Sequence, residues 1–175
     1  MPAMEVRLTP TSYVVLGLIE LMQPATPYDL KRAAAEGISN LWALPHTQLY
    51  AECGRLAGAG LLTEKREEDG RRRRLFSLTE SGREALDAWR LDPTTPTYEL
   101  RDAGLVKLFC GADPVRLAAT QIESHAARLA RWERMRDEIA ENDGPRGVRL
   151  ALESGIGHER EYVRFWTAVR DGELD

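Results

Sequence analysis

Two hydrophobic periods meet near Gly60, and their meeting limits what this chain can fold into. Before it, apolar residues recur at helical spacing behind three start signals. Thr9-Pro10 opens "LTPTSYVVLGLIELM", and Thr26-Pro27 opens "QPATPYDLKRAAAEG". Pro45 stands at the entry of "LPHTQLYAECGRLAGAG". Threonine is a favoured N-cap, and proline costs nothing at the first helical position because its missing N–H would have no partner there. Asp29, three residues after Thr26, completes a capping pattern, and Gly37, Gly58 and Gly60 supply stops. After Gly60 the period drops towards two. "LLTEKREEDGRRRRLFSL" reads as two strands around Asp69-Gly70, a strong hairpin signal. "LTESGREALDAW" returns to helix, capped by Thr79 or Ser81. Helix, helix, helix, hairpin, helix is the order of a winged helix-turn-helix.

The stretch 91–97 is rich in proline and threonine and reads as a linker. It divides residues 1–90, the expected DNA-binding domain, from residues 98–175. The second part reads as a short helix in "YELRDAGLVKLFCG", a long helix from Asp113-Pro114, and a last one from about Val148 to Arg170. The long helix carries Ala118, Ile122, His125, Leu129, Trp132 and Ile139 in a narrow stripe, with Met135 beside it. The last carries Leu152, Ile156, Val163, Trp166 and Val169. Such stripes suit helix-on-helix packing and a dimer interface. The expected class is mainly α: a winged helix-turn-helix followed by an α-helical dimerisation domain.

Charge sharpens the functional reading. The 175 residues carry a formal net charge of -4, yet residues 1–90 hold as many cations as anions. The positive charge there is concentrated in Arg71 to Arg74. A two-residue turn at Asp69-Gly70 would set Glu68 against Arg71 and Glu67 against Arg72. It would then set Arg66 against Arg73 and Lys65 against Arg74, like-charge pairs that a DNA backbone would relieve. Alternation puts Phe76 and Leu78 towards the core, with Arg72 and Arg74 on their side and Arg71 and Arg73 on the other. In the third helix, Leu49, Cys53 and Leu56 form the inward face. Thr47, Ala51, Gly54 and Gly58 then form a small outward face, flanked by Gln48, Tyr50 and Arg55. A small face permits close approach to a groove, and its N-terminal His46 and Thr47 lie where free N–H groups favour phosphate. Tyr50 either packs on the wing or meets phosphate.

The ordered set "WALPHTQLYAECGRLAGAGLL" and "DGRRRRLFSLTESGREAL", with "LGLIEL" and "PYDLKR" upstream, resembles the PadR-like family of bacterial transcriptional regulators. "LRDAGLVKLFCG" and "GHEREYVRFW" are similar to the longer C-terminal region of one subgroup. The resemblance implies a homodimeric repressor of promoter DNA, paired through its C-terminal helices and relieved by a phenolic or other small aromatic effector. DNA contacts are then expected from His46, Thr47, Gln48, Tyr50, Arg55, Arg71, Arg73 and Arg74. Trp132, Trp166 and His125 are interface residues or effector contacts. The alternative is a non-catalytic adaptor that uses the winged helix to hold another protein.

Catalytic readings lack residues. His46, His125 and His158 sit in different elements without metal-ligand spacing, and no phosphate-cradling glycine loop or GxSxG is present. No catalytic residue, metal or cofactor is expected. Cys53 and Cys110 read as free thiols, Cys110 being a small core residue or a redox-sensing thiol. No apolar run reaches membrane-spanning length, and "MPAMEVRLTP" lacks signal-peptide layout, so a cytoplasmic protein is expected.

Overall fold

The computed structural model describes residues 6–38, 41–67 and 73–174. These divide into two compact units, Met1–Pro96 and Thr97–Asp175.

The first unit holds α1 (Pro10–Met22), α2 (Pro27–Glu36), α3 (His46–Gly58), β1 (Leu62–Arg66), β2 (Arg74–Leu78) and α4 (Glu80–Leu91). The local start signals act as expected. Ser12 N–H donates to Thr9 Oγ1, and Thr9 N–H donates back to Ser12 Oγ at 2.8 Å. Asp29 and Thr26 make the same reciprocal pair at the head of α2. Each pair satisfies donors that a helix start leaves open. The inward faces of α1 and α3 meet in one core: Val15, Leu16 and Ile19 from α1, and Leu49, Cys53 and Leu56 from α3, with Leu30 of α2. Phe76, Leu78 and Leu86 close it from the hairpin and α4.

Register is where the structure departs from expectation. Leu62 pairs with Leu78, Glu64 with Phe76, Lys65 with Leu75 and Arg66 with Arg74. Glu67 N–H then donates to the Arg73 carbonyl at 3.0 Å. The expected pairs Lys65–Arg74, Arg66–Arg73 and Glu67–Arg72 are therefore each wrong by one residue. The cause is burial. Directly opposed residues share a face, so only this register puts Leu62, Phe76 and Leu78 together in the core. The Asp69-Gly70 turn and the Glu68–Arg71 pair lie outside the described residues. Phe76 also exchanges two backbone hydrogen bonds with Ala25, which pins the outer edge of β2 to the α1–α2 connection.

Gly82 shows how tightly α4 is set. A Cβ there would lie 2.1 Å from the Leu61 carbonyl oxygen, so no other residue fits without moving backbone. Thr79 fixes the approach: its Oγ1 accepts from Gly82 N–H and donates to the Gly60 carbonyl at 2.8 Å. Tyr13 and Trp89 stack at 4.7 Å to join α1 and α4, and Arg90 of α4 pairs with Glu20 of α1.

The second unit holds α5 (Ala103–Phe109), α6 (Pro114–Glu141) and α7 (Arg146–Asp171). Helices α6 and α7 form a long antiparallel pair; 28 residues of α6 extend about 40 Å. The stripes meet as anticipated, with Ala118, His125 and Trp132 buried against Ile156 and Trp166. At Gly155 the helices touch: a Cβ would stand 2.5 Å from the Trp132 ring.

Candidate nucleic-acid interface

Helix α3 is held from behind and left open in front. Leu49, Cys53 and Leu56 are fully buried, while His46, Thr47, Gln48, Tyr50 and Ala51 are exposed, Tyr50 by 45%. Helices α1, α2, α4, α5 and α6 each begin with a side chain accepting a first-turn N–H; α7 begins uncapped at Pro145, and so does α3 at Pro45, which has no such side chain. Its opening N–H groups therefore face outward beside His46, Thr47 and Gln48, the polarity that suits phosphate. Behind the helix, Trp42 Nε1–H donates to the buried Thr11 hydroxyl at 3.0 Å, tying the approach to α3 onto α1.

Arg55 is placed differently from the sequence expectation. Its guanidinium forks onto Glu52 at 2.9 and 2.6 Å, donates to Ser12 Oγ at 3.0 Å, and reaches the Arg7 carbonyl. That hydrogen bonding holds the Glu52 carboxyl below its ordinary range. Arg55 braces α3 against the start of α1 and has its donors committed there.

The hairpin cations are paired rather than crowded. Arg73 forks onto Glu67 at 2.9 and 2.8 Å. Arg74 forks onto Glu64 at 2.8 and 2.7 Å, and Arg66 adds a longer bond of 3.2 Å to the same carboxylate. The expectation that Arg73 and Arg74 face only other cations is thus corrected, and the one-residue change of register is the reason. Each face of the described hairpin still carries two cations to one carboxylate: Arg66 and Arg74 with Glu64, and Lys65 and Arg73 with Glu67. Arg71 lies outside the described residues. Arg74 bridges wing and helix. Its guanidinium lies 5.1 Å from the Phe76 ring centre, and its Nη2 is 3.6 Å from where a Cβ on Gly54 would be. Gly54 therefore borders the wing instead of standing on the free outer face.

Cys53, beneath this contact, is a buried thiol: burial pushes it up to about 12, with nearby Arg74 opposing. Cys110 is exposed, so its core placement is not found.

In the second unit, the candidate effector residues lie along the α6–α7 seam. Glu159, 1% exposed, accepts from His125 Nδ1 at 2.5 Å and from Arg128 at 2.9 Å. His125 and His158 both lie against the Tyr162 ring, at 4.7 and 4.3 Å. Trp166 Nε1 is buried and has no hydrogen-bond partner among the described residues, while the buried Tyr162 hydroxyl lies beside the Asp102 carboxylate. Burial pushes the Tyr162 phenol up to about 12, and the Asp102 carboxylate nearby acts in the same direction. Trp132 is spent on packing against Gly155. Sequence reasoning passed over Glu159, Arg128 and Tyr162. The available signal was an acid three residues beyond Ile156 and seven before Trp166, on the apolar stripe itself. Among the described residues no His, Cys, Asp and Glu cluster is placed to hold a metal ion, and no helix is long and apolar enough to cross a membrane.

A reading-type helix, open at its N-terminus and flanked by a cationic two-stranded wing, defines a winged-helix protein; a long helical hairpin follows it. Residues 15–88 match the model of the Transcriptional regulator PadR-like family, the family that the sequence resembles. The negative transcriptional regulator PadR of Bacillus subtilis is 21% identical over 171 residues, spanning 90% of this chain and 93% of that protein. The crystal structure of Bacillus subtilis PadR in complex with operator DNA matches with a TM-score of 0.81 at 19% identity, over 95% of this chain and 99% of that one. The same protein in complex with p-coumaric acid matches with a TM-score of 0.71 at 20% identity, over 91% and 96%. At these identities the structural likeness establishes the fold.

Proposed function

We propose that this chain is a sequence-specific transcriptional regulator that binds promoter DNA as a homodimer, acts as a repressor, and is released by a small phenolic or aromatic effector. The observation that carries the reading is α3: three buried apolar residues anchor it, and an exposed, uncapped first turn presents His46, Thr47 and Gln48 beside the wing. In this reading Gln48 reads a base edge, while His46, Thr47 and Tyr50 meet backbone. The hairpin cations, Arg71 and Arg73 among them, supply the positive field, and Arg74 stands between the wing and α3. Arg55 serves from behind as a brace. The first unit reads DNA, and the α6–α7 unit joins two copies, spacing their reading helices about 34–36 Å apart for half-sites one turn apart. The PadR complexes with operator DNA and with p-coumaric acid support both halves of the reading by kinship. A buried donor without an acceptor, Trp166 Nε1, supports an effector that offers an acceptor oxygen.

The test is selection of bound duplexes from a random pool, with and without p-coumaric acid as the probe effector. A palindromic consensus, lost when Gln48 is replaced by Ala, is the expected result. A chain that enriches no sequence at low salt is not a regulator of this kind.

A further inference from the structure

The wing contains an arginine that is already occupied, and what occupies it is an acid of the same chain. Arg74 offers its fork to Glu64 through two short, parallel hydrogen bonds, a geometry stronger and more directional than a simple ion pair. Two further sides of the guanidinium meet protein: one faces the Phe76 ring and another faces Gly54 of α3. Phe76 is fully buried and Glu64 is directly opposite it across the hairpin, so the fork is built on rigid ground. Arg66 shares the Glu64 carboxylate but lies opposite Arg74, further out, and is far more exposed.

Resting on the DNA-binding reading above, we infer that Glu64 is a specificity-setting positioning residue: it withholds Arg74 from the DNA backbone and keeps it as a spacer between the wing and α3. A free guanidinium beside a reading helix binds any phosphate and adds sequence-independent affinity, and a wing no longer fixed against α3 lets the chain settle on phosphate without its base contacts in place, which lowers discrimination. Glu64 removes that contribution and fixes the angle at which the wing stands to α3. Arg73, paired with Glu67 on the opposite face of the hairpin, lies on the side turned away from α3 and has no such spacer role.

The experiment measures binding of the full chain to a promoter duplex and to a random duplex over a range of salt. In Glu64→Gln, affinity for the random duplex rises and the salt slope steepens by about one unit, so the gain over wild type grows about threefold between roughly 200 and 50 mM salt. Preference for the promoter falls. Glu64→Gln/Arg74→Gln restores the wild-type slope, whereas Glu64→Gln/Arg66→Gln does not. Both double variants restore the same net charge, so their difference isolates Arg74 from simple charge balance. An unchanged slope in Glu64→Gln overturns the inference, and so does equal restoration by both double variants. A wild-type chain that binds no duplex at low salt overturns the DNA-binding reading and this inference with it.

Discussion

The two units use the same chemical pair in opposite ways. On the wing, Glu64 and Glu67 hold Arg74 and Arg73 at the surface, where water and salt reach both partners. Between α6 and α7, Glu159 is sunk to 1% exposure with His125, itself buried, and the inner end of Arg128. Surface pairs add little net stability, because solvation lost nearly equals attraction gained, so a wing can carry them as exchangeable contacts. A buried carboxylate is different. It has already lost its water, and its partners are what make that loss tolerable. Placement, more than pairing, decides whether an acid serves recognition or architecture.

The sharpest way to break this contrast is at Glu159. Replacing Glu159 with Leu should cost about 3 kcal/mol, since His125 loses its acceptor in a buried site while Arg128 can turn outward to water. Chemical denaturation of the full chain measures it. A loss near zero would mean that the α6–α7 seam admits water, and the contrast between the units would then collapse.

Much of this was legible in the sequence, and the boundary is physical. Helix starts were readable because a Thr–Pro cap is local; Thr9 and Thr26 both cap, and the Thr26–Asp29 pair formed as the residues implied. The inward faces of α3 and α6 were readable because periodicity records burial. Register was misread because two signals disagreed. Asp69-Gly70 favours a two-residue turn, but the parity of Leu62 and Leu78 demands the other register, and burying two leucines with Phe76 outweighs a turn preference. The bracing contacts of Arg55 were not readable because its partners Ser12 and Arg7 lie 43 and 48 residues away. Glu159 was missed for the same reason, with His125 34 residues distant. Charged side chains acquire their roles from long-range neighbours that no local pattern names.

A second prediction tests the wing through pH. Hydrogen bonds from Arg74 hold the Glu64 carboxyl down at about 2, against an ordinary 4.5, with burial opposing and Arg66 assisting. A depressed folded-state value means that the ionised acid stabilises the fold above pH 4.5, and that this contribution is lost as pH falls from 4.5 through about 2. The stability difference between wild type and Glu64→Gln should therefore be flat from neutrality down to about pH 5 and close below it. Taking the difference removes the acid unfolding that both chains share. A difference that persists unchanged at pH 2 would mean that Glu64 acts by packing and not by charge.

The smallest effect should come from Glu67. Its pairing with Arg73 is as well formed as that of Glu64 with Arg74, and the Asp29 carboxylate at the head of α2 also acts on Arg73, but both partners are open to solvent. Hydrogen bonding to Arg73 lowers the Glu67 carboxyl, yet salt and water at that position screen what the pair contributes to folding. Glu67→Gln should leave the thermal midpoint within experimental scatter of wild type. It should also leave promoter preference in place, because Arg73 stands on the face away from α3 and its release adds phosphate attraction without moving the reading helix. Equal losses of preference in Glu64→Gln and Glu67→Gln would show that the whole wing acts as one charged body, and would remove the distinction between its two faces.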